Sequence, residues 1–369
     1  MRARCDKIKN EIVFGKRGKS VSFIRQKLKQ LRKRLEFAMY CFPMGDNERF
    51  VRNVKNVGKE NNLVYAEKYG ECENSELVYH IKTEYSGSGF FADHNRLLGF
   101  LYFADKFGMQ PVVEYHPDYC YAEKHPVNGT SNPFEYYFEQ PTDVSLEQLY
   151  NCRHVVRSRK ENGNYAIMLN EEANGYSRNE KYITEMGRIT HKYLRLRPEV
   201  SEIINSEMQV LANSEEKVLG IHFRGTDFKR NYNGHPVNLT IEDYMEKIGD
   251  IMKKGYDKIF LATDDSNAVK RLQSVYGDIL VYYKDVMRSD ENETVMNSVS
   301  NRPNHHYMLG LEVLRDMYTL ARCDGLIAGL SQVSIAARIQ KKSYGKEYDD
   351  MIIIDKGINY HKKMNCPNG

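Results

Sequence analysis

The 369-residue sequence contains no tryptophan and no apolar run of about 18 residues, the length that a membrane-spanning helix needs. No apolar stretch of the signal-peptide type follows Met1. The seven cysteines are scattered and include no Cys-x-x-Cys pair, which argues against a zinc site and against a disulfide framework. From these absences we expect a protein of a reducing compartment, cytoplasmic or peripheral to the inner face of a membrane.

The sequence also lacks a large excess of charge of either sign. The 54 basic and 50 acidic residues leave a net charge of only +4, which does not favour nucleic acid as a partner. The basic residues do cluster between Lys16 and Arg34, with apolar residues near helical spacing among them. This segment is either a helix on an anionic membrane surface or, as we favour, a peripheral helix packed on the protein body.

The length and the order of sequence patterns predict two α/β domains. We expect an N-terminal basic and helical extension over 1–75, a first Rossmann-like domain over 76–212 and a second over 213–369. In the first domain a strand over Leu77–Ile81, a glycine loop over Ser86–Gly89 and a helical stripe lead to a strand at Pro111–Tyr115. Ala92 occupies the third position of the dinucleotide-binding glycine pattern, so we interpret the loop as facing a cleft.

The second half alternates short apolar runs with helical patterns, which is typical of a doubly wound parallel sheet. The predicted strands are Val218–Ile221, Lys258–Thr263, Ile279–Tyr282, Leu326–Ala328 and Met351–Ile354. We also predict a linking helix around Arg195–Asn213, a long polar loop over Lys284–His306 and a helix over Leu309–Arg322.

Polar residues follow three of these strands, at the edge where open α/β sheets bind ligands. They are His222, Arg224 and Asp227 after the first strand, Asp264 and Asp265 after the second, and Ser331 and Gln332 after the fourth. An arginine fork and a helix N-terminus together can hold a diphosphate. A further acid, Asp316, could accept hydrogen bonds from guanine.

Structural roles compete with these functional ones. Arg224 and Asp227 could form a surface salt bridge, Asp264 could be a helix cap, and Asp316 could be a surface helix residue. For Asp265 helix capping is a complete explanation.

Three blocks of this half resemble the signature blocks of the α1,6-fucosyltransferases and bacterial nodulation fucosyltransferases. They are His-Phe-Arg-Gly-Thr-Asp at 222–227, Leu-Ala-Thr-Asp-Asp at 261–265 and Leu-Ser-Gln-Val at 330–333. The glycine loop at 89–94 is similar to that of the protein O-fucosyltransferases, and the resemblance covers roughly 84–339 in order and spacing.

The resemblance implies a GT-B architecture, in which two Rossmann-like doubly wound domains face each other across a cleft. In this architecture the domain over 76–212 is on the acceptor side, and the domain over 213–369 binds the GDP-sugar. It implies GDP-fucose as donor, inversion at the anomeric carbon and no metal or other cofactor. In the implied roles Arg224 binds the pyrophosphate, His222 contacts the guanosine side and Asp316 pairs with guanine. Ser331 and Gln332 would bind phosphate or sugar. Asp227, Asp264 and Asp265 would hold the site together or contact the nucleotide.

The sequence departs from the family at the position of the catalytic base. Gly225 replaces the second arginine, and Phe228 and Tyr232 replace a lysine and the catalytic glutamate. Asp93 and His94 on the loop of the first domain are our candidate bases, followed by Asp227. Asp93 could instead cap a helix that begins near Asn95.

We therefore predict transfer of fucose from GDP-fucose to a glycan or lipid-linked glycan. The alternatives are a transferase that uses another GDP- or UDP-sugar and a non-catalytic nucleotide-sugar- or glycan-binding protein on the same scaffold.

Overall fold

The computed structural model describes residues 65–74, 76–83, 87–153, 155–159, 179–211, 215–225, 234–289 and 295–359, with 28 and 163 as isolated positions. The predicted basic helix therefore lies outside the described residues, apart from Leu28. Asp227 also lies outside them.

The first sheet has four strands in the order β1-β4-β2-β3. The strands are β1 (Tyr65–Glu67), β2 (Val78–Lys82), β3 (Gln110–Glu114) and β4 (Val155–Arg157). Strand β4 lies between β1 and β2, and runs parallel to β2 and antiparallel to β1, which is an edge strand. The sequence analysis predicted neither β1 nor β4. Helix α1 (Phe90–Phe107) joins β2 to β3, which confirms the predicted βαβ unit. A short helix, α2 (Leu146–Asn151), precedes β4.

Helix α1 begins earlier than expected. The Gly89 carbonyl accepts hydrogen bonds from the amides of Ala92 at 2.9 Å and Asp93 at 3.3 Å, so the first turn is closed five residues before Asn95. The helix ends at Gly108, whose φ of 65° only glycine adopts without strain. The interpretation of Asp93 as the cap of a helix near Asn95 is therefore wrong.

Two helices, α3 (Glu180–Tyr193) and α4 (Pro198–Leu211), precede the second sheet, and α4 corresponds to the predicted linking helix. The Asn179 side chain caps α3 by accepting a hydrogen bond from the Tyr182 amide at 3.2 Å.

The second sheet has five parallel strands in the order β7-β6-β5-β8-β9. The strands are β5 (Val218–Phe223), β6 (Lys258–Thr263), β7 (Leu280–Val281), β8 (Gly325–Gly329) and β9 (Asp350–Ile354). The connecting helices are α5 (Ile241–Met252), α6 (Ser266–Tyr276), α7 (His305–Arg322) and α8 (Gln332–Ser343). Strands β5 and β8 are buried throughout, as central strands of a parallel sheet should be. The predicted α/β class and doubly wound sheet are confirmed.

The order in which the chain adds strands to this sheet reverses between β5 and β8. It runs outward from β5 through β6 to β7, and then returns to the other side of β5 as β8 and β9. The carboxyl ends of β5 and β8 are therefore the topological switch point, where such sheets bind ligands. Ile221 and Ile327 of these strands and Ile248 of α5 lie in the core beneath it.

The described residues fall into two compact units. One comprises those up to 80 with 104–112 and 144–159, and the other comprises 81–103, 113–143 and those from 160 onward. The predicted domain boundaries and cleft stay predictions. None of the helices in the described part of the chain is both long and apolar enough to cross a membrane.

Candidate functional site

A pocket with an empty volume of about 340 Å³ lies at the switch point of the second sheet. Side chains that follow three neighbouring strands line it: His222 and Arg224 around the end of β5, Ser331 after β8, and Lys356 after β9. Tyr244 of α5 and the segment 236–239 contribute further wall. The structure thus brings His222, Arg224 and Ser331, which lie around the ends of β5 and β8, together at one pocket.

His222 is buried within the second-sheet core, at 5% exposure. Its Nδ1 lies 3.2 Å from the Ser331 hydroxyl, and its carbonyl accepts a hydrogen bond from the Tyr244 hydroxyl at 3.1 Å. Burial, reinforced by the nearby Arg224 charge, lowers the pKa of His222 to about 4. The imidazole is therefore neutral at pH 7 and adds no charge beside the arginine.

Arg224 is held by the residue that follows β6. Its Nη1 lies 3.4 Å from Oδ2 of Asp264, whose Oδ1 accepts a hydrogen bond from the Gly225 amide at 2.9 Å. The Arg224 side chain is 30% exposed. Asp264 is thus a support for the arginine rather than a helix cap, and the guanidinium keeps solvent access on the pocket.

Asp265 caps α6, as the sequence predicts. Its carboxylate accepts hydrogen bonds from the amides of Asn267 at 2.8 Å and Ala268 at 3.3 Å. The same side chain packs against Gly225: a Cβ at Gly225 would lie 2.5 Å from Cβ and Oδ2 of Asp265. This contact explains why the second arginine of the family block cannot stand at position 225 with this backbone.

Ser331 caps the helix that follows β8. Its hydroxyl accepts a hydrogen bond from the Ser334 amide at 3.1 Å, and its own amide donates to the Ser334 hydroxyl at 3.1 Å. The first turn of α8 faces this edge of the sheet with the partial positive charge of a helix N-terminus. Ser331 lines the pocket, whereas Gln332 does not.

Gln332 is tied to α1. Its carbonyl oxygen and its side-chain Oε1 both accept hydrogen bonds from Nδ2 of Asn95, at 3.0 and 2.9 Å. Asn95 is 5% exposed, and its Oδ1 has no hydrogen-bond partner among the described residues.

Asp316 is buried at 6% exposure, so the alternative of a surface helix residue is wrong. Burial raises its pKa to about 7, although the charges of Arg288 and Arg315 act in the opposite direction. Its Oδ1 has no hydrogen-bond partner within the described chain, while Arg315 is engaged by Asp285 at 2.8 and 3.1 Å. Asp316 does not line the switch-point pocket.

The two candidate bases of α1 have different surroundings. The Asp93 carboxylate pairs with Arg96 at 2.6 Å. His94 faces a cavity lined by aromatic rings that include Phe90 and Phe138, and burial lowers its pKa to about 4. His94 is therefore a neutral imidazole at pH 7, a state that can accept a proton.

The buried Tyr121 lies near the charges of both Arg224 and the candidate base Asp93. Its hydroxyl accepts a hydrogen bond from the Phe90 amide at 3.2 Å. Burial raises the pKa of Tyr121 to about 12, while the charge of Arg224 lowers it and that of Asp93 raises it. One hydroxyl thus lies in the fields of both Arg224 and Asp93.

Sequence reasoning missed several residues in or beside the pocket. Asp355 and Lys356 line the pocket after β9, and the same strand-end rule could have found them. Lys356 Nζ pairs with both carboxylate oxygens of Asp243 at 2.7 Å. Asn95 had no sequence signal, because its partner is 237 positions away.

The chain is similar in structure to fucosyltransferases. It aligns with NodZ α-1,6-fucosyltransferase soaked with GDP-fucose at 16% identity and a TM-score of 0.43, over 72% of this chain and 93% of that chain. The fucosyltransferase NodZ from Bradyrhizobium aligns at 17% identity and a TM-score of 0.43, over 71% and 92%. POFUT1 in complex with GDP-fucose aligns at 10% identity and a TM-score of 0.41, over 78% and 98%. No protein-family model and no curated protein matches the sequence.

Proposed function

We propose that the protein is a glycosyltransferase that moves fucose from GDP-fucose to a hydroxyl of a glycan or lipid-linked glycan, with inversion and without a metal ion. The observation that carries this proposal is the convergence of Arg224, neutral His222 and the Ser331-capped helix on one pocket at the switch point. The identity of the donor as GDP-fucose is indicated by the resemblance of the three motif blocks to fucosyltransferase signature blocks.

In the proposed reaction the acceptor oxygen attacks the anomeric carbon while the bond from that carbon to the diphosphate oxygen breaks. The negative charge that develops on the leaving diphosphate is stabilised by Arg224 and by the amides of the first turn of α8. A neutral His222 can donate a hydrogen bond there without a charge that would compete for Asp264.

The proton of the acceptor hydroxyl goes to a base of the protein. We propose Asp93 or His94 of α1, since both lie in the same compact unit as Arg224. Asp227, which lies outside the described residues, is the third candidate. In each case the products are GDP, the fucosylated acceptor and a proton released from the base.

We propose that Asp316 recognises guanine. A carboxylate matches the N1–H and the exocyclic amine of this base. Oδ1 of Asp316 has no hydrogen-bond partner among the described residues, which is unusual for a buried acid.

The first test is calorimetric binding of GDP-fucose, GDP-mannose and UDP-sugars in EDTA, for the wild type and Arg224→Ala. We expect binding of GDP-fucose that the variant loses by at least about tenfold, because a charge-assisted contact to the diphosphate is removed. Preference for another nucleotide sugar would support the alternative donor, and binding without turnover of any acceptor would support a non-catalytic protein. Absence of binding to every GDP-sugar would refute the proposal.

The guanine contact is tested with Asp316→Asn, and Asp278→Asn is the matched control at an exposed position of the 3-10 turn that follows α6. Because the pKa of Asp316 is about 7, protonation should compete with guanine below that pH. We expect wild-type affinity for GDP-fucose to fall by about an order of magnitude between pH 8 and 6. Affinity should be weaker and nearly independent of pH in Asp316→Asn, and Asp278→Asn should behave as the wild type.

A further inference from the structure

Asn95 makes a two-fold contact with the residue that opens α8. The Asn95 amide nitrogen donates to the Gln332 carbonyl at 3.0 Å and to the Gln332 Oε1 at 2.9 Å. These two bonds fix which end of the Gln332 side-chain amide faces α1. The oxygen end is turned toward Asn95, so the nitrogen end is turned away from it.

We propose that Asn95 is a positioning residue for the donor diphosphate, acting through Gln332. This inference rests on the proposed function, because it assigns the anion that Gln332 meets. With its oxygen held by Asn95, Gln332 can offer the diphosphate only N–H donors. A reversed amide would instead turn a partial negative charge toward an anion.

Gln332 is not part of the pocket lining, but it is the first residue of α8, directly beside the pocket. It follows Ser331, which caps α8, lines the pocket and lies 3.2 Å from His222. The other hydrogen bond from Asn95, to the backbone carbonyl of Gln332, fixes the backbone of Gln332. It thereby fixes the direction of the amides in the first turn of α8.

The cost of the arrangement also favours a role beyond packing. Asn95 is 5% exposed, yet its Oδ1 has no hydrogen-bond partner among the residues that the structure describes. An apolar residue would avoid the desolvation of that oxygen. Asn95 also follows Asp93 and His94 directly, so the contact links the candidate bases to the diphosphate-binding turn within one compact unit.

The test is a double-mutant cycle on the affinity for GDP, measured by calorimetry for Asn95→Leu, Gln332→Ala and the double variant. We expect Asn95→Leu to weaken GDP binding by about fivefold to tenfold. Its effect should be smaller once Gln332 is alanine, because only the bond from Asn95 to the carbonyl of residue 332 then remains to be lost. Asn95→Asp should weaken binding more than Asn95→Leu, because aspartate turns the Gln332 amide round and adds a negative charge.

Asn205→Leu is the matched control, since Asn205 is also a helical asparagine whose Nδ2 donates to a neighbouring side chain, Ser201 Oγ at 3.2 Å. Its GDP affinity should equal that of the wild type. If Asn95→Leu does not accumulate as folded protein, Asn95→Ser takes its place in the cycle.

Wild-type affinity in folded Asn95→Leu and Asn95→Asp would overturn this inference and leave the proposed function standing. Equal losses in the presence and absence of Gln332 would also overturn it, because Asn95 would then act independently of Gln332. A wild type that does not bind GDP would overturn both proposals together.

Discussion

Gly225 shows how a single residue decides the geometry of the arginine beside it. Its amide is bound by Asp264, which also pairs with Arg224, and its missing side chain leaves room for Asp265. The peptide after Arg224 is therefore fixed by two consecutive acids of the β6–α6 junction. Asp264 positions the guanidinium, and Asp265 sets the close approach of the backbone.

Gly225→Ala should destabilise the protein. Its Cβ would lie 2.5 Å from the Asp265 side chain, which is itself fixed by the capping of α6. We expect a loss of about 1–3 kcal/mol in the free energy of unfolding, together with weaker GDP binding as Arg224 shifts. Chemical denaturation and calorimetry measure the two effects.

Gly249→Ala is the matched control for that change. Gly249 lies in α5, and a Cβ there would meet nothing within 4 Å. Alanine should stabilise this helix by about 0.5–1 kcal/mol without changing GDP affinity. Equal stability of Gly225→Ala and the wild type would show that the Asp264–Asp265 junction yields easily, contrary to the argument.

At the scale of elements, the junction between β8 and α8 carries a capping side chain that also belongs to the pocket. Ser331→Ala should cost about 0.5–2 kcal/mol in the free energy of unfolding, because the Ser334 amide loses its acceptor. It should also weaken GDP binding, since the contact to His222 disappears.

Ser145→Ala separates these two effects. Ser145 caps α2 through the Gln148 amide at 3.2 Å, and it contributes nothing to the switch-point pocket. Its loss of stability in thermal unfolding should resemble that of Ser331→Ala, whereas its GDP affinity should stay unchanged. A Ser331→Ala variant with wild-type affinity would restrict Ser331 to a structural role.

Local sequence signals were sufficient for most elements of the second sheet. The apolar run at 218–221 and the cap at Asp265 identified β5 and α6 correctly because a strand interior and an N-cap depend on neighbouring residues alone. Helix starts were less predictable. Helix α7 begins at His305, four residues before the predicted Leu309, where Nε2 of His305 lies 2.9 Å from the Ser298 carbonyl.

The burial of individual polar residues and the contacts between distant residues could not be predicted from the sequence. Asp316 reads as an ordinary acid on a helix, and only the packing of α7 shows that it is enclosed beside Arg288 and Arg315. The Asn95–Gln332 contact joins residues that share no motif. Such partners are selected by the tertiary fold, so residue type and spacing carry no trace of them.

At the scale of the whole molecule, the order of strands makes the candidate site. His222 and Ser331 are 109 positions apart, and they meet because β8 returns to the side of β5 opposite β6. The alternating pattern predicted a parallel sheet, but it could not order the strands. The resemblance to fucosyltransferase motifs did indicate that the three blocks at 222–227, 261–265 and 330–333 belong to one site.

Buried neutral histidines should make the whole protein sensitive to acid. His94 and His222 each have a pKa of about 4 in the folded chain, well below the ordinary histidine value near 6.5 that the unfolded chain has. Between these values the unfolded chain binds more protons, so stability is present above about pH 6.5 and is lost as the pH falls toward 4. The raised pKa of Asp316 acts in the opposite direction, with stability lost as the pH rises toward 7.

His94→Phe isolates one of these contributions, because phenylalanine suits the aromatic cavity that His94 faces. Whatever its effect at neutral pH, the variant should gain roughly 3 kcal/mol relative to the wild type between pH 6.5 and 4, as the unfolded wild type takes up a proton that the variant cannot. Urea denaturation across this range measures the difference, and His191→Asn, at an exposed position of α3, should keep the wild-type dependence. Parallel curves for His94→Phe and the wild type would mean that the folded and unfolded chains protonate His94 at the same pH, which would contradict the lowered pKa of His94.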